Sequence, residues 1–307
     1  MIQVEGIGKT FGNQSALSNI SFQAHDHEVL GIIGLNGAGK TTLLRILATE
    51  ILPSSGDITI DGYSILTSPH EIRSRIGFLP DKPPLYPEMT VRDYLTFLAR
   101  LRGVPRPQLQ QHVHDASKTT QLSRHLDTHL GSLSHGYQQR TSIAQAIVHK
   151  PKILILDEPT NGLDPLQIVE LRDLILELKK KHTILFSSHN LSEMTKISDR
   201  LLIVQEGQVL TTGQPKELER TSTIQIKAQW EGGTNWSQVL QPIPGLNHHQ
   251  LKKTDHITTG FFECQTDCRP HIAATIIQNQ GQLLSLEKTH NELEKVLLRL
   301  IGGNHHD

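Results

Sequence analysis

Residues 29–47 read VLGIIGLNGAGKTTLLRIL: a short apolar run, a glycine-rich turn, and a helical pattern. Val29, Leu30, Ile32 and Ile33 have the texture of a buried strand, and Leu43, Leu44, Leu47 and Ala48 recur at helical spacing. Between them Gly34, Gly39, Lys40 and Thr41 fit G-x-x-x-x-G-K-[ST], in the strand-then-helix setting that gives the pattern its meaning. Glycine lets the backbone through Gly34, Asn36, Gly37, Ala38 and Gly39 curl with successive N–H groups inward, and the helix starting near Lys40 adds its positive end. That combination is a cradle for phosphates. Lys40 is placed to reach the β- and γ-phosphates, the Thr41 hydroxyl to ligate magnesium, and Thr42 stands beside them at the helix start. A purely structural glycine turn is disfavoured by the strand and helix on either side.

Working outward, 307 residues leave room for about two domains. Hydrophobic residues make up 36% and charged residues 20%, as in ordinary globular protein. Lysine plus arginine number 30 against 31 acidic residues, for a net charge of −1, so nothing global points to a nucleic-acid partner. The start, MIQVEGIGKTF, has no apolar core of secretory type, and no stretch approaches the ~18 apolar residues of a membrane helix. The expectation is a cytoplasmic chain that does not span a membrane. Two cysteines are too few for a disulfide framework.

Before the loop, Ile2-Gln3-Val4-Glu5 and Ile20-Ser21-Phe22-Gln23 alternate as antiparallel strands do. After it, residues 56–62 read as a compact strand, and residues 76–86 (IGFLPDKPPLY) as a strand entering a stiff, exposed proline-rich loop. From Thr90 to about His149 the pattern is helical, an insertion between strands of an α/β core. Within it Ser134 is placed to cap the helix carrying Ile143, Ala144 and Ile147. Residues 152–159 (KILILDEP) end a buried strand in Asp157-Glu158, at the carboxyl edge of a parallel sheet where α/β ligand sites lie. Asp157 is positioned for a magnesium shell and Glu158 to orient and polarise a water as general base. Residues 183–188 (TILFSS) form another buried strand, with His189 at its end to sense a γ-phosphate.

Together, over about residues 1–220, these motifs resemble the ATP-binding cassette (ABC) ATPases, the nucleotide-binding subunits of ABC transporters. Phe11 matches the aromatic that stacks on adenine, Gly34–Thr41 the phosphate loop, and Asp81 a loop position usually held by glutamine. Residues 133–138 match the signature usually written LSGGQ, Asp157 and Glu158 the magnesium-site and catalytic acids, Asp164 the D-loop acid and His189 the switch histidine. The resemblance implies a P-loop α/β core with an antiparallel β subdomain and a helical subdomain (about 85–150). It also implies a homodimer closing on ATP, in which Ser134, His135 and Gly136 bind a γ-phosphate held by the other copy. Asp81 is shorter and anionic where glutamine is usual, and is a further candidate for the metal and the attacking water. His135 places a titratable ring beside phosphate. The proline-rich loop and the form LS-x-G-Y-x-QR are most similar to exporter cassettes, whose Pro83–Tyr86 loop lies by the groove receiving a helix of the membrane subunit. The function implied is ATP hydrolysis energising a separately encoded membrane permease, with the chain peripheral on the inner membrane face. The alternative is a soluble ABC ATPase acting on ribosomes or DNA.

Residues 221–307 change texture: strands at 223–230, 257–264 and 282–286, a helix at 271–279, and a final helix striped by Leu293, Leu297 and Leu300, giving a small α+β domain. Cys264-x-x-x-Cys268 near His256 and His271 invites a zinc reading, but the spacing is unusual for zinc and two buried or free thiols are expected.

Overall fold

A computed structural model describes residues 1–220, 224–232, 236–240, 243–254 and 256–288. The chain divides into two units, Met1–Pro215 and Lys216–Asp307.

In chain order the first unit contains β1 (Ile2–Phe11), β2 (Gln14–Ala24), β3 (Val29–Ile33), α1 (Lys40–Leu47), β4 (Ser55–Ile60), β5 (Tyr63–Ser64), α2 (Pro69–Arg75) and β6 (Ile76–Leu79). It continues through α3 (Val91–Leu101), α4 (Leu109–Thr119), α5 (His135–Ile147), β7 (Ile153–Leu156), α6 (Pro165–Lys179), β8 (Thr183–Ser188), α7 (Leu191–Ile197), β9 (Arg200–Gln205) and β10 (Gln208–Gly213). A short helix, α8 (Pro215–Arg220), follows.

Two sheets result. The antiparallel one runs β2-β1-β4-β5, with Ile2 opposite Ala24 on one side and Ile60 on the other. The other runs β10-β9-β3-β8-β7-β6, parallel except for the β9–β10 hairpin. Strands β3, β6, β7 and β8 are buried along their whole length, which is why each reads as a largely apolar run rather than an alternation, β8 closing on buried Ser187 and Ser188. One core joins the two sheets: Val4, Ile20 and Ile58 from the first, Ile32, Ile155 and Leu202 from the second, and Leu43 and Leu47 of α1.

Register sets the site. Ile33 lies opposite Ser188 and Leu156 opposite Phe186, so the chain leaves β3, β7 and β8 at one carboxyl edge, carrying Gly34, Asp157-Glu158 and His189. The helical segment expected after Thr90 enters between β6 and β7, strands that pair directly. Thr90 caps α3 by accepting the Asp93 N–H, and Val91, Tyr94, Leu95 and Ala99 face inward.

The second unit runs β11 (Ile224–Glu231), α9 (Trp236–Val239), β12 (Leu246–Thr254), β13 (Ile257–Cys264), α10 (Arg269–Gln278), β14 (Gln282–Lys288). Its sheet order is β12-β13-β11-β14, antiparallel throughout, the split β-α-β arrangement. Trp230 packs edge-on against Trp236 at 5.2 Å between ring centroids, over a core with Phe262 and Ile272. Strand β12 has no counterpart in the sequence expectation. The expectation of two buried or free thiols is corrected in the bonding: both cysteines are buried, but Cys264 ends β13, Cys268 precedes α10, the turn between brings their Cα atoms to 6.4 Å, and a disulfide joins them. Among the described residues no group of three or more His, Cys, Asp or Glu side chains gathers in a way that could hold a metal ion. The helix expected around Leu293, Leu297 and Leu300 lies outside the described residues.

Candidate active site

The phosphate loop owes its shape to two glycines at positive φ. Gly37 (φ 83°) has open space where a side chain would stand, whereas Gly39 (φ 102°) is pressed by the Ala16 carbonyl oxygen, 2.8 Å from where a Cβ would lie. No larger residue fits at Gly39 without moving β2. Gly39 is also the cap residue of α1, where no side chain bonds the first-turn N–H groups and no acidic residue occupies that turn. The helix start therefore keeps its donors for an anion. Lys40 is buried, its Nζ donating to the carbonyls of Gly34 (2.9 Å) and Leu35 (3.3 Å) and lying 3.5 Å from Oε1 of Glu158.

Asp157 and Glu158 make different contacts from adjacent positions. The Ser187 hydroxyl donates to Asp157 Oδ1 (2.6 Å) and accepts the Glu158 N–H (2.9 Å), tying the end of β7 to β8. Burial raises the Asp157 pKa above the ordinary carboxylate value; hydrogen bonds from Ser187 and Thr41 oppose this, and the charges of Glu158 and Asp81 add to it. Its Oδ2 is buried with no hydrogen-bond partner. A buried carboxylate oxygen without a donor, beside the Thr41 hydroxyl and a second carboxylate at Asp81, is a donor set that suits a hard divalent cation. Glu158 adopts φ 47°, a left-handed conformation unusual for glutamate, and strain of this kind concentrates at functional sites. Its carboxylate lies between Lys40 and His189, whose Nδ1 donates to Oε2 at 2.9 Å.

Phe11, at the end of β1, is half exposed, with Lys9 Nζ 5.0 Å from the ring centroid. Asp81 accepts a hydrogen bond from Asn161 Nδ2 (2.9 Å). Ser134 is the cap residue of α5, yet its side chain makes no capping bond. His135 Nε2 donates to the Asn161 carbonyl (3.2 Å), and a Cβ on Gly136 would stand 2.8 Å from the Gln167 amide. Lys40, Thr41, Asp157, Glu158 and His189 thus gather at the carboxyl edge, with Asp81 beside them. Ser134, His135 and Gly136 form a separate group: His135 and Gly136 lie against Asn161, Gly162 and, at the start of α6, Gln167 rather than in the Lys40 loop.

Two contributors escaped the sequence reading. Ser187 had a usable signal, a polar residue closing an apolar strand. Asn161 had none, because its partner Asp81 lies 80 positions away.

A glycine loop between a parallel strand and a helix, with an acidic pair ending a strand one position removed in the sheet, defines a P-loop nucleoside triphosphatase. A family model described as ABC transporter matches residues 17–161. The ABC transporter ATP-binding protein YxlF of Bacillus subtilis is 35% identical over 288 residues, covering 87% of this chain and 96% of its own. The bacitracin transport ATP-binding protein BcrA of Bacillus licheniformis is 29% identical, covering 99% and 98%. Among solved structures, CbiO1 of Clostridium perfringens, part of the ABC transporter complex CbiONQ, superposes with TM-score 0.65 at 32% identity, over 71% of this chain and 89% of that one. The chain belongs to the ABC transporter ATP-binding proteins; it is an ATP-binding ATPase of that family, with the P-loop fold the motifs implied. Among the described residues no helix is long and apolar enough to cross a membrane.

Proposed function

We propose that the chain hydrolyses magnesium-bound ATP as one half of a homodimer and drives a separately encoded membrane permease, exporting its cargo from a position on the inner membrane face. The observation that carries the catalytic part is the Glu158 carboxylate, fixed at a strand end between Lys40 and His189. Magnesium ATP, when bound, supplies an electrophilic phosphorus whose oxygens the metal neutralises. Asp157 Oδ2, the Thr41 hydroxyl and Asp81 are the oxygens that would hold that metal. Lys40 would exchange the Gly34 and Leu35 carbonyls for phosphate oxygens, which also releases Glu158 from its ammonium. Glu158 then orients water and takes its proton, with His189 keeping the carboxylate aimed. Adenine would stack on Phe11 through the face that Lys9 does not cover.

The free Ser134 hydroxyl and the start of α5 suit a phosphate contributed by a second copy. Coupling to a permease is supported by an apolar surface beside the proline-rich loop. Tyr86 and Phe97 are exposed, and Tyr86 stands edge-on to both Tyr94 and Phe97. Transport is supported by the similarity to the bacitracin transport protein BcrA, and export by the loop and signature patterns. The test is a pull-down of tagged protein from detergent-solubilised membranes with mass spectrometry. A stoichiometric polytopic membrane protein is expected; ribosomal or DNA-repair proteins without one would replace this reading with a soluble role and leave the ATPase site intact.

A further inference from the structure

Two residues depart from the family pattern, Asp81 where glutamine is usual and His135 in the signature, and one residue touches both. Asn161 gives its side-chain N–H to Asp81 Oδ1 (2.9 Å) and its backbone carbonyl to His135 Nε2 (3.2 Å). The imidazole lies over Gly162 (φ 73°), where a Cβ would stand 2.8 Å from Nε2, so this seat exists only because residue 162 has no side chain. A second bond from α5, Gln139 Nε2 to the Pro159 carbonyl (2.7 Å), holds the same turn. The turn begins at left-handed Glu158, whose carbonyl accepts the Asn161 N–H (3.1 Å), and ends at Asp164, which caps α6 through a reciprocal pair with Gln167.

The substitution at position 81 explains why such a restraint matters. A glutamine is neutral and can offer its carbonyl oxygen to a metal with no electrostatic penalty. An aspartate is shorter and anionic, and its charge already acts on Asp157, as does that of Glu158. Like-charge repulsion favours an Asp81 rotamer turned away from this edge. The Asn161 amide opposes that rotation by satisfying one oxygen and leaving the other free.

We propose that Asn161 is a positioning residue that holds the Asp81 carboxylate at the metal edge and, through its carbonyl, makes that hold depend on His135. A signature that shifts toward a second copy's nucleotide then also shifts Asp81 in its own subunit. The first half needs only the single subunit; the second rests on the composite-site reading proposed above.

The test reads metal binding rather than turnover: Mn2+ affinity of the ADP-bound protein, followed by electron paramagnetic resonance. Asn161→Ala is expected to weaken Mn2+ binding about 5- to 10-fold in the parent and less than about 2-fold in the Asp81→Gln background, with ADP affinity measured without metal unchanged. His135→Ala is expected to shift Mn2+ affinity in the parent and to add nothing to Asn161→Ala. An equal Asn161→Ala effect in both backgrounds, or none in either, overturns the positioning role; a His135→Ala effect that is absent or additive overturns the link. ATP-dependent dimerisation is scored separately by light scattering, so a protein that never dimerises contradicts the composite site while the Mn2+ cycle still decides the role of Asn161.

Discussion

His189 Nδ1 lies 2.9 Å from Oε2 of Glu158, with the His189 side chain 57% exposed and that of Glu158 only 10%. Each residue follows directly on, or one position beyond, a strand end, and the two strands are neighbours in the sheet. The buried acid therefore has a partner that also faces solvent, where a phosphate or a second subunit can reach it. His189→Ala is expected to lower kcat roughly 100-fold, in the range of lost general-base assistance, while nucleotide affinity changes little. Steady-state ATPase assays beside nucleotide titration separate the two.

Lys40 plays the complementary part. Its ammonium is held by two loop carbonyls and by Glu158. Lys40→Ala removes a point charge from the phosphate cradle, and ATP affinity is expected to fall at least about tenfold, or ~1.4 kcal/mol, by isothermal titration calorimetry. The main-chain donors at the start of α1 remain, so binding weakens rather than vanishes.

Gly162 is expected to be intolerant of even one carbon. At φ 73° a non-glycine residue costs about 1 kcal/mol, and the added Cβ would collide with the His135 ring. Gly162→Ala should lower ATPase turnover with monomer nucleotide affinity retained, and should lower the melting temperature by a few degrees. Unchanged turnover would mean that the His135 seat is not used.

Acid should weaken the contact between the end of the helical insertion and β6. His149 Nε2 donates to the Ile76 carbonyl (3.0 Å), but its Nδ1 is buried with no partner. Burial, reinforced by the nearby Arg102 charge, pulls its pKa down from 6.5 to about 4, against the opposing bond to Ile76. The folded state thus binds this proton less readily than the unfolded one, so the effect is absent above pH 6.5 and stability falls as pH drops from there toward 4. The loss is on the order of 3 kcal/mol for this group. Urea unfolding between pH 4 and 7 should show a shallower slope in His149→Gln than in the parent.

Much of the candidate nucleotide site is local in sequence. Val29–Ile33, the glycine turn and α1 are contiguous, and an apolar run stopping at Asp157-Glu158 announces a buried parallel strand end. What escaped depends on placement between distant segments. The Ser187 bridge follows from the register of β7 against β8, and the Asn161–Asp81 bond spans two loops. Strand β12 escaped for a different reason. It lies at the sheet edge, and its run LNHHQLKKT has only two apolar residues, so no alternation marks it. The Cys264–Cys268 bond depends on how tightly the chain turns between β13 and α10, which a C-x-x-x-C spacing does not reveal.

The most direct test of the central claim is the oligomeric state of Glu158→Gln with and without magnesium ATP, by size-exclusion chromatography with light scattering. Replacing the carboxylate by an amide removes the base and leaves the phosphate cradle whole. Turnover should fall by ~10² to 10⁴, and the protein should shift from monomer to a stable dimer only when ATP is present. A Glu158→Gln protein that binds ATP and stays monomeric, or that hydrolyses it at the parent rate, would contradict a composite ATPase site with Glu158 as its base.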